Sequence, residues 1–242
     1  MNWETSKKPL ILAHRGFAER YVENSLEAIE AAMKLGVDGV EVDLRMTADN
    51  ELIIFHDKTL KRLADRDDNI EELTSSSIRQ IDLQGSHLPT LEELLDLVQD
   101  KLLLNLEIKT VRYRSSVVEK KLLATLRAFG LGSSILVSAF HPLPLYRLSH
   151  LAPELKRGYL CWNRYLRTRH RLLVEKKVGP SSLNIALEDA TQKTVRSGQA
   201  RGRRIFVWTV NEPDDMNRMV SWGVDGVFSD RPDRLLSLRT NG

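Results

Sequence analysis

Along the chain, short apolar runs alternate with longer segments in which apolar residues recur at helical spacing. The runs Leu10–Arg15, Gly39–Leu44, Leu103–Lys109, Ile135–Phe140, Arg157–Cys161, Ser182–Leu187, Arg204–Thr209 and Asp225–Ser229 read as strands. The intervening and final segments, Ser25–Leu35, Leu91–Gln99, Ser116–Phe129, Leu143–Ser149, Tyr165–Lys176, Asp189–Ala200, Pro213–Trp222 and Arg234–Leu238, read as helices. Start and stop signals agree. Asn24 before Glu27 and Thr90 before Glu93 fit a capping side chain with an acid three residues on. Gly36, Gly130 and Gly223 stand where a left-handed C-cap is wanted. Eight strand–helix repeats predict an α/β fold, a (β/α)8 TIM barrel, with functional groups gathered at the C-terminal ends of the strands.

The alternation breaks once, between Glu51 and Pro89. A short apolar arm, Leu52–Phe55, leads into a polar, charge-rich segment with little helical pattern. It reads as an insertion in the second βα loop, cap-like over about residues 57–87, on the face where barrel active sites are built. Leu60, Leu63, Ile70, Leu73, Ile78 and Ile81 are enough to pack such a cap on itself. With no fixed-period repeat, low-complexity tract or linker, residues 1–242 are expected to form one barrel domain.

Composition narrows the class without naming a function. A chain of 242 residues with 42% hydrophobic and 29% charged residues is globular, and no window has the roughly 18 consecutive apolar residues of a membrane span. The N-terminus lacks the apolar stretch of a secretory signal. One cysteine, Cys161, forms no internal disulfide and fits a reducing compartment, so a cytoplasmic location is expected. A net charge of +3 favours anionic ligands only weakly and does not imply nucleic acid.

The chemistry begins with Glu41-Val-Asp43. Two residues apart in a strand, these carboxylates point the same way and repel unless a cation sits between them. Glu107, in the next strand-like run, supplies a third acid. Three carboxylates suit a hard divalent ion such as Mg²⁺ or Ca²⁺, whereas a single cysteine argues against a thiolate zinc site. The alternative is a set of rim charges satisfied by lysines. His14 beside Arg15 and His56 beside Asp57 likewise read either as structural histidines or as groups converging on one site.

These residues belong to a longer string of motifs: His14-Arg15-Gly16, Glu23-Asn24-Ser25, Glu41-Val-Asp43, His56-Asp57, Pro89-Thr90-Leu91-Glu92-Glu93, Asn105-Leu-Glu107-Ile-Lys109, Ser138-Ala-Phe140 and Val207-Trp208-Thr209-Val210-Asn211. In this order, over nearly the whole chain, the string resembles the glycerophosphodiester phosphodiesterases. Two departures occur: Ser25 replaces the family's usual Thr, and Asn184–Leu187 carries no family signature. The resemblance implies a barrel hydrolase that cleaves glycerol-3-phosphate esters to glycerol 3-phosphate and an alcohol. It makes Glu41, Asp43 and Glu107 ligands of a divalent ion (Mg²⁺ or Ca²⁺, with Mn²⁺ as a further candidate), His14 the base and His56 the acid. Arg15 and Lys109 would hold phosphate oxygens, and Trp208 would wall the substrate pocket. Glu23 reads as an acid behind the site or a polar residue ahead of a helix, and Asp57 as orienting His56 or capping its loop. Of the other histidines, His141 is the one placed to face the site.

The basic cluster Arg164–Arg171 with Lys176 and Lys177 reads as a solvated helix face. A membrane-surface contact, with Trp162, Tyr165 and Leu166 beside the charges, is the less favoured reading. Small, water-soluble glycerophosphodiesters are therefore the expected partners. The alternatives are a lysophospholipase D-like activity and a catalytically idle barrel that binds phosphodiesters, the latter opposed by the full set of acids, bases and histidines.

Overall fold

The computed structural model of the chain describes residue 3, residues 9–162 and residues 168–240. In chain order the elements are β1 (Leu10–His14), α1 (Leu26–Leu35), β2 (Gly39–Met46), β3 (Leu52–Ile54), α2 (Lys61–Ala64), α3 (Ser75–Ile78), α4 (Leu91–Val98), β4 (Leu103–Ile108), α5 (Val117–Ala128) and β5 (Ile135–Ala139). There follow α6 (Pro142–Leu151), β6 (Lys156–Cys161), α7 (Thr168–Val178), β7 (Ser182–Ala186), α8 (Gln192–Gln199), β8 (Arg204–Trp208), α9 (Pro213–Trp222), β9 (Gly226–Ser229) and α10 (Pro232–Thr240). Single 3₁₀ turns stand at Ile70–Glu72 and Leu187–Asp189.

Among the described residues, parallel pairing runs β1-β9-β8-β7-β6-β5-β4-β2, and β1 pairs with β2 to close the ring. This is the expected eight-stranded barrel, wrapped by helices. The strands are buried on both faces, which is why they read as near-continuous apolar runs. Outward positions such as Val40, Val42, Leu104 and Leu106 pack under the helices. Inward positions Leu10, Leu12, Leu103, Leu136, Phe206 and Phe228 fill the lower barrel. Trp3 closes that end, its indole N–H donating to the Ser134 carbonyl at 2.8 Å and its ring meeting Phe206 edge-on. Glycine is required inside the ring at position 39, where a Cβ would come within 2.5 Å of the Leu103 carbonyl oxygen.

The register positions the site. His14, the last residue of β1, lies opposite Glu41, Glu41 opposite Asn105, and Asp43 opposite Glu107. Beyond Glu41 the β1 edge of β2 is taken over by β3, antiparallel, with Leu44 opposite Ile54. The arm Leu52–Phe55 is thus a strand that turns the chain back toward the mouth. The insertion that follows has its own small core of Ile53, Phe55, Leu60, Ile70, Ile78, Ile81, Leu83 and Leu88, with Leu63 and Leu73 packed against it. Burial of each such side chain contributes about 1.5–3 kcal/mol, which holds together elements of only one turn.

Several sequence expectations need correction. Ser25, not Asn24, caps α1, its hydroxyl accepting from the Ala28 amide. Asn24 sits at φ 63° and turns its side chain inward instead. The Thr90–Glu93 capping box forms as expected. Gly36, Gly130 and Gly223 all adopt the left-handed backbone expected of them, Gly130 one residue beyond the Phe129 cap. His141 caps α6, its Nδ1 accepting from the Leu143 amide. Arg171 is not on a solvated face: it is buried against Glu175, four residues on, while Lys176 and Lys177 are exposed. Arg164, Tyr165, Leu166 and Arg167 lie outside the described residues. No described helix is long and apolar enough to cross a membrane.

Candidate active site

Strand alternation sends Val40, Val42, Leu44 and Met46 outward, so Glu41 and Asp43 point into the barrel mouth, where β4 adds Glu107. One oxygen from each of these three carboxylates lies within 4.8 Å of the others. Of their buried oxygens, Glu41 Oε1 receives no hydrogen bond, and Asp43 Oδ1 and Glu107 Oε1 are met by the Lys109 ammonium. A buried oxygen without a donor is costly, and three buried carboxylates converging around it make a site that fits a hard divalent cation. Burial, then the charges of Asp43 and Glu107, push the Glu41 carboxyl up to about 8. Burial also raises Glu107, against the pull of Lys109. Asp43 is buried too, yet Lys109 and Arg15 hold it well below the usual carboxylate range.

Two cations frame the acids. Arg15 Nε lies 3.1 Å from Asp43 Oδ2, and Lys109 Nζ lies 3.1 Å from Asp43 Oδ1 and contacts Glu107. Asn24 completes the cradle of Asp43, donating from Nδ2 to Oδ2 at 2.8 Å and accepting from the Asp43 amide at 3.2 Å. Arg15 can hold its pose because Glu23 binds its other side at 2.9 Å.

Each histidine is backed by an aspartate. Nδ1 of His14 is 2.7 Å from Asp230 Oδ1, and Nδ1 of His56 is 2.7 Å from Asp57 Oδ1. Because both aspartates are held below their ordinary range, each accepts an Nδ1–H and leaves Nε2 as the ring atom available to a ligand. His14 Nε2 is 3.8 Å from Glu41 Oε2. Burial lowers His14, but the Asp230 hydrogen bond and the Glu41 charge outweigh it and raise the group. His56 is lowered, by burial and by Lys109 and Arg15, despite Asp43. Arg45, anchored by Glu71 at 3.1 Å, donates to the His56 carbonyl from Nε and Nη2 at 3.0 and 2.8 Å. Arg62, on α2 of the insertion, binds both Asp57 and Glu23 and so links the His56 and Arg15 arms.

These groups open into one cavity of about 340 Å³, lined also by Phe140, Trp162, Glu188 and Trp208. His14, Arg15, Glu41, His56, Glu107, Lys109 and Trp208 line it, and Asp43, Glu23 and Asp57 support it, whereas His141, expected to face the site, caps α6 and does not line the cavity. Sequence reasoning passed over Asp230, Arg62, Arg45 and Glu188. Asp230 follows directly on strand β9, the same strand-end position that drew attention to Glu107. Asn211 belonged to a recognised motif without a role; it holds Asp230 through Nδ2 and Oδ1, each at 2.9 Å.

A barrel with this mouth is built for phosphoric diester hydrolysis, and the comparisons agree. Residues 14–234 match the Glycerophosphoryl diester phosphodiesterase family. A glycerophosphodiester phosphodiesterase of Caldanaerobacter subterraneus is 31% identical over 244 residues, covering 97% of this chain and 99% of its own. Another from Bacillus altitudinis is 31% identical over 245 residues, covering 95% and 97%. The structure of an Oleispira antarctica phosphodiesterase in complex with the product sn-glycerol-3-phosphate aligns with a TM-score of 0.88 at 26% identity, over 96% of this chain and 97% of that one. The chain belongs to the glycerophosphoryl diester phosphodiesterase family, whose members are phosphoric diester hydrolases.

Proposed function

We propose that the chain hydrolyses small glycerophosphodiesters, glycerophosphocholine and glycerophosphoethanolamine among them, to sn-glycerol 3-phosphate and an alcohol. The observation that carries this reading is the convergence of three buried carboxylates, Glu41, Asp43 and Glu107, beside two aspartate-backed histidines in one cavity. Glu41, Asp43 and Glu107 are the residues that would hold a divalent ion, with Mg²⁺ or Ca²⁺ favoured by the all-carboxylate set and Mn²⁺ admissible. Such an ion supplies fixed positive charge against the phosphoryl oxygens.

The chain's own groups do the rest. Arg15 and Lys109 line the cavity and take phosphate oxygens. His14, its Nδ1–H fixed by Asp230, removes a proton at Nε2 from the attacking oxygen. His56, its Nδ1–H fixed by Asp57, delivers a proton to the leaving alcohol, and a bound phosphodiester anion counters the lysine and arginine charges that depress it.

The apolar residues of the insertion are already used in its own core, which leaves them unable to line an acyl groove. Small esters should accordingly outperform lysophosphatidylcholine. The single buried thiol of Cys161 supports a cytoplasmic, reducing setting. Release of glycerol 3-phosphate, followed with a coupled dehydrogenase, tests the reaction; phosphate monoester hydrolysis without diester cleavage would refute it.

A further inference from the structure

Strand alternation places Arg45 on the same face of β2 as Glu41 and Asp43, at the rim of the mouth. Its guanidinium is spent on two partners: Glu71 at 3.1 Å, and the His56 carbonyl, to which Nε and Nη2 donate at 3.0 and 2.8 Å. Both ends of the ion pair are sheltered, the Arg45 side chain being 11% exposed and that of Glu71 18%. Glu71 has a fixed seat of its own. It stands in the 3₁₀ turn Ile70–Glu72, where Asn69 Oδ1 accepts from its amide at 3.1 Å. The hydroxyl of buried Thr110 donates to Glu71 Oε1 at 2.7 Å and accepts from the amide of Met46, the last residue of β2, at 3.1 Å. The carboxylate is thus tied to the rim of the barrel before it meets Arg45.

The carbonyl that Arg45 grips belongs to the peptide joining His56 to Asp57. That unit is planar, so one two-pronged contact fixes the starting point of both side chains. Their own contact, Nδ1 to Oδ1 at 2.7 Å, decides which ring nitrogen is left for the cavity. Arg62 holds Asp57 from the solvent side with a side chain 48% exposed; Arg45 and Glu71 hold the same pair from within.

We propose that Arg45 and Glu71 are positioning residues for proton delivery to the leaving alcohol, Glu71 being the point at which the insertion sets the aim of His56. This rests on the diesterase reading above, with His56 as its acid. Lysine cannot replace Arg45, since an ammonium on a flexible stem has no planar fork with which to hold carbonyl and carboxylate at fixed angles.

Arg45→Lys keeps the charge and removes the fork, so it tests geometry alone. Its effect is read on two esters that share the glycerol phosphate. Glycerophosphocholine has an alkoxide leaving group that needs a proton, whereas the 4-nitrophenyl ester of glycerol 3-phosphate releases a phenolate that needs none. kcat for the choline ester is expected to fall about ten- to a hundredfold with KM changed little, and kcat for the nitrophenyl ester by less than about threefold. Glu71→Gln keeps an oxygen for Thr110 and is expected to show the same selective loss, which carries the test if Arg45→Lys does not fold. Equal losses on both esters, or no loss on either, overturn the proposal. The His56 ring gives an independent reading. Its ¹H–¹⁵N imidazole signal, identified by its disappearance in His56→Ala, is expected to shift or broaden in both variants, and an unchanged signal overturns the proposal. If the unaltered protein cleaves neither ester, the diesterase reading fails, and the imidazole signal decides by itself whether Arg45 and Glu71 position His56.

Discussion

Asp230 accepts the Nδ1–H of His14 at 2.7 Å, joining the last barrel strand to the first across 216 positions of sequence. Barrel closure, not local sequence, makes this contact, since β1 and β9 are neighbours only in the folded ring. Replacing His14 or His56 by Ala should lower kcat by about 10²–10⁴, the usual worth of a positioned proton-transfer group. Asp230→Asn should lower kcat by more than about tenfold while KM changes little, because it disturbs the ring's tautomer and orientation and leaves the phosphate contacts intact. Near-normal kcat in Asp230→Asn would remove His14 from proton transfer.

The state of Glu41 makes metal binding pH-dependent. Its folded carboxyl holds a proton up to about 8, so a cation must displace that proton. Mg²⁺ or Mn²⁺ affinity, followed by calorimetry, should rise about tenfold per pH unit below that value and level off above it. The metal-free protein shows the complementary effect. The unfolded chain loses this proton near 4.5 and the folded chain only near 8, so between the two the folded state holds more protons and its stability falls as pH rises. Affinity independent of pH across that window would exclude Glu41 as a ligand.

Arg62 is the one insertion residue tied to both halves of the catalytic machinery, through Asp57 and Glu23. Its two ion pairs are partly exposed and worth about 0.2–1 kcal/mol each, so Arg62→Ala should lower Tm by less than about 8 °C. kcat should fall about three- to tenfold, because His56 and Arg15 each lose a fixed backing group. A variant with full activity would show that the clamp positions nothing.

The barrel was legible because strands buried on both faces read as apolar runs and amphipathic helices show their period between them. Strand alternation showed that Glu41 and Asp43 share a face, but it left rim charges and structural histidines open, and the motif string that resembles the family joined Glu107, His14 and His56 to them. What escaped depended on contacts between distant segments or on elements too short to show a period. Asp230 finds His14 only once the ring closes. Asn24 looks like a helix cap beside Glu27, yet a left-handed backbone hands the cap to Ser25 and turns Asn24 onto Asp43. The four-residue helices α2 and α3 are held by the insertion's core, not by their own sequence. Arg171 sits in a run of basic residues that pattern alone assigns to solvent, and only Glu175 with Arg201 beside it explains its burial.

Cys161 lies under the outer helices, and burial pushes its thiol up to about 12. A thiol so disfavoured as thiolate should not react with a disulfide reagent at neutral pH until the chain unfolds. Rapid labelling of the native protein, with activity retained, would place Cys161 at an accessible surface and contradict its packing.

The most direct test of the account is glycerol 3-phosphate release from glycerophosphocholine by protein stripped with a chelator, then reconstituted with Mg²⁺, Ca²⁺ or Mn²⁺, with metal content measured in parallel. The account predicts that turnover disappears with the metal and returns with one ion per chain, and that protein lacking the Glu41, Asp43 and Glu107 carboxylates (Glu→Gln, Asp→Asn) neither binds that ion nor recovers. Full turnover by protein shown to contain no metal would contradict it.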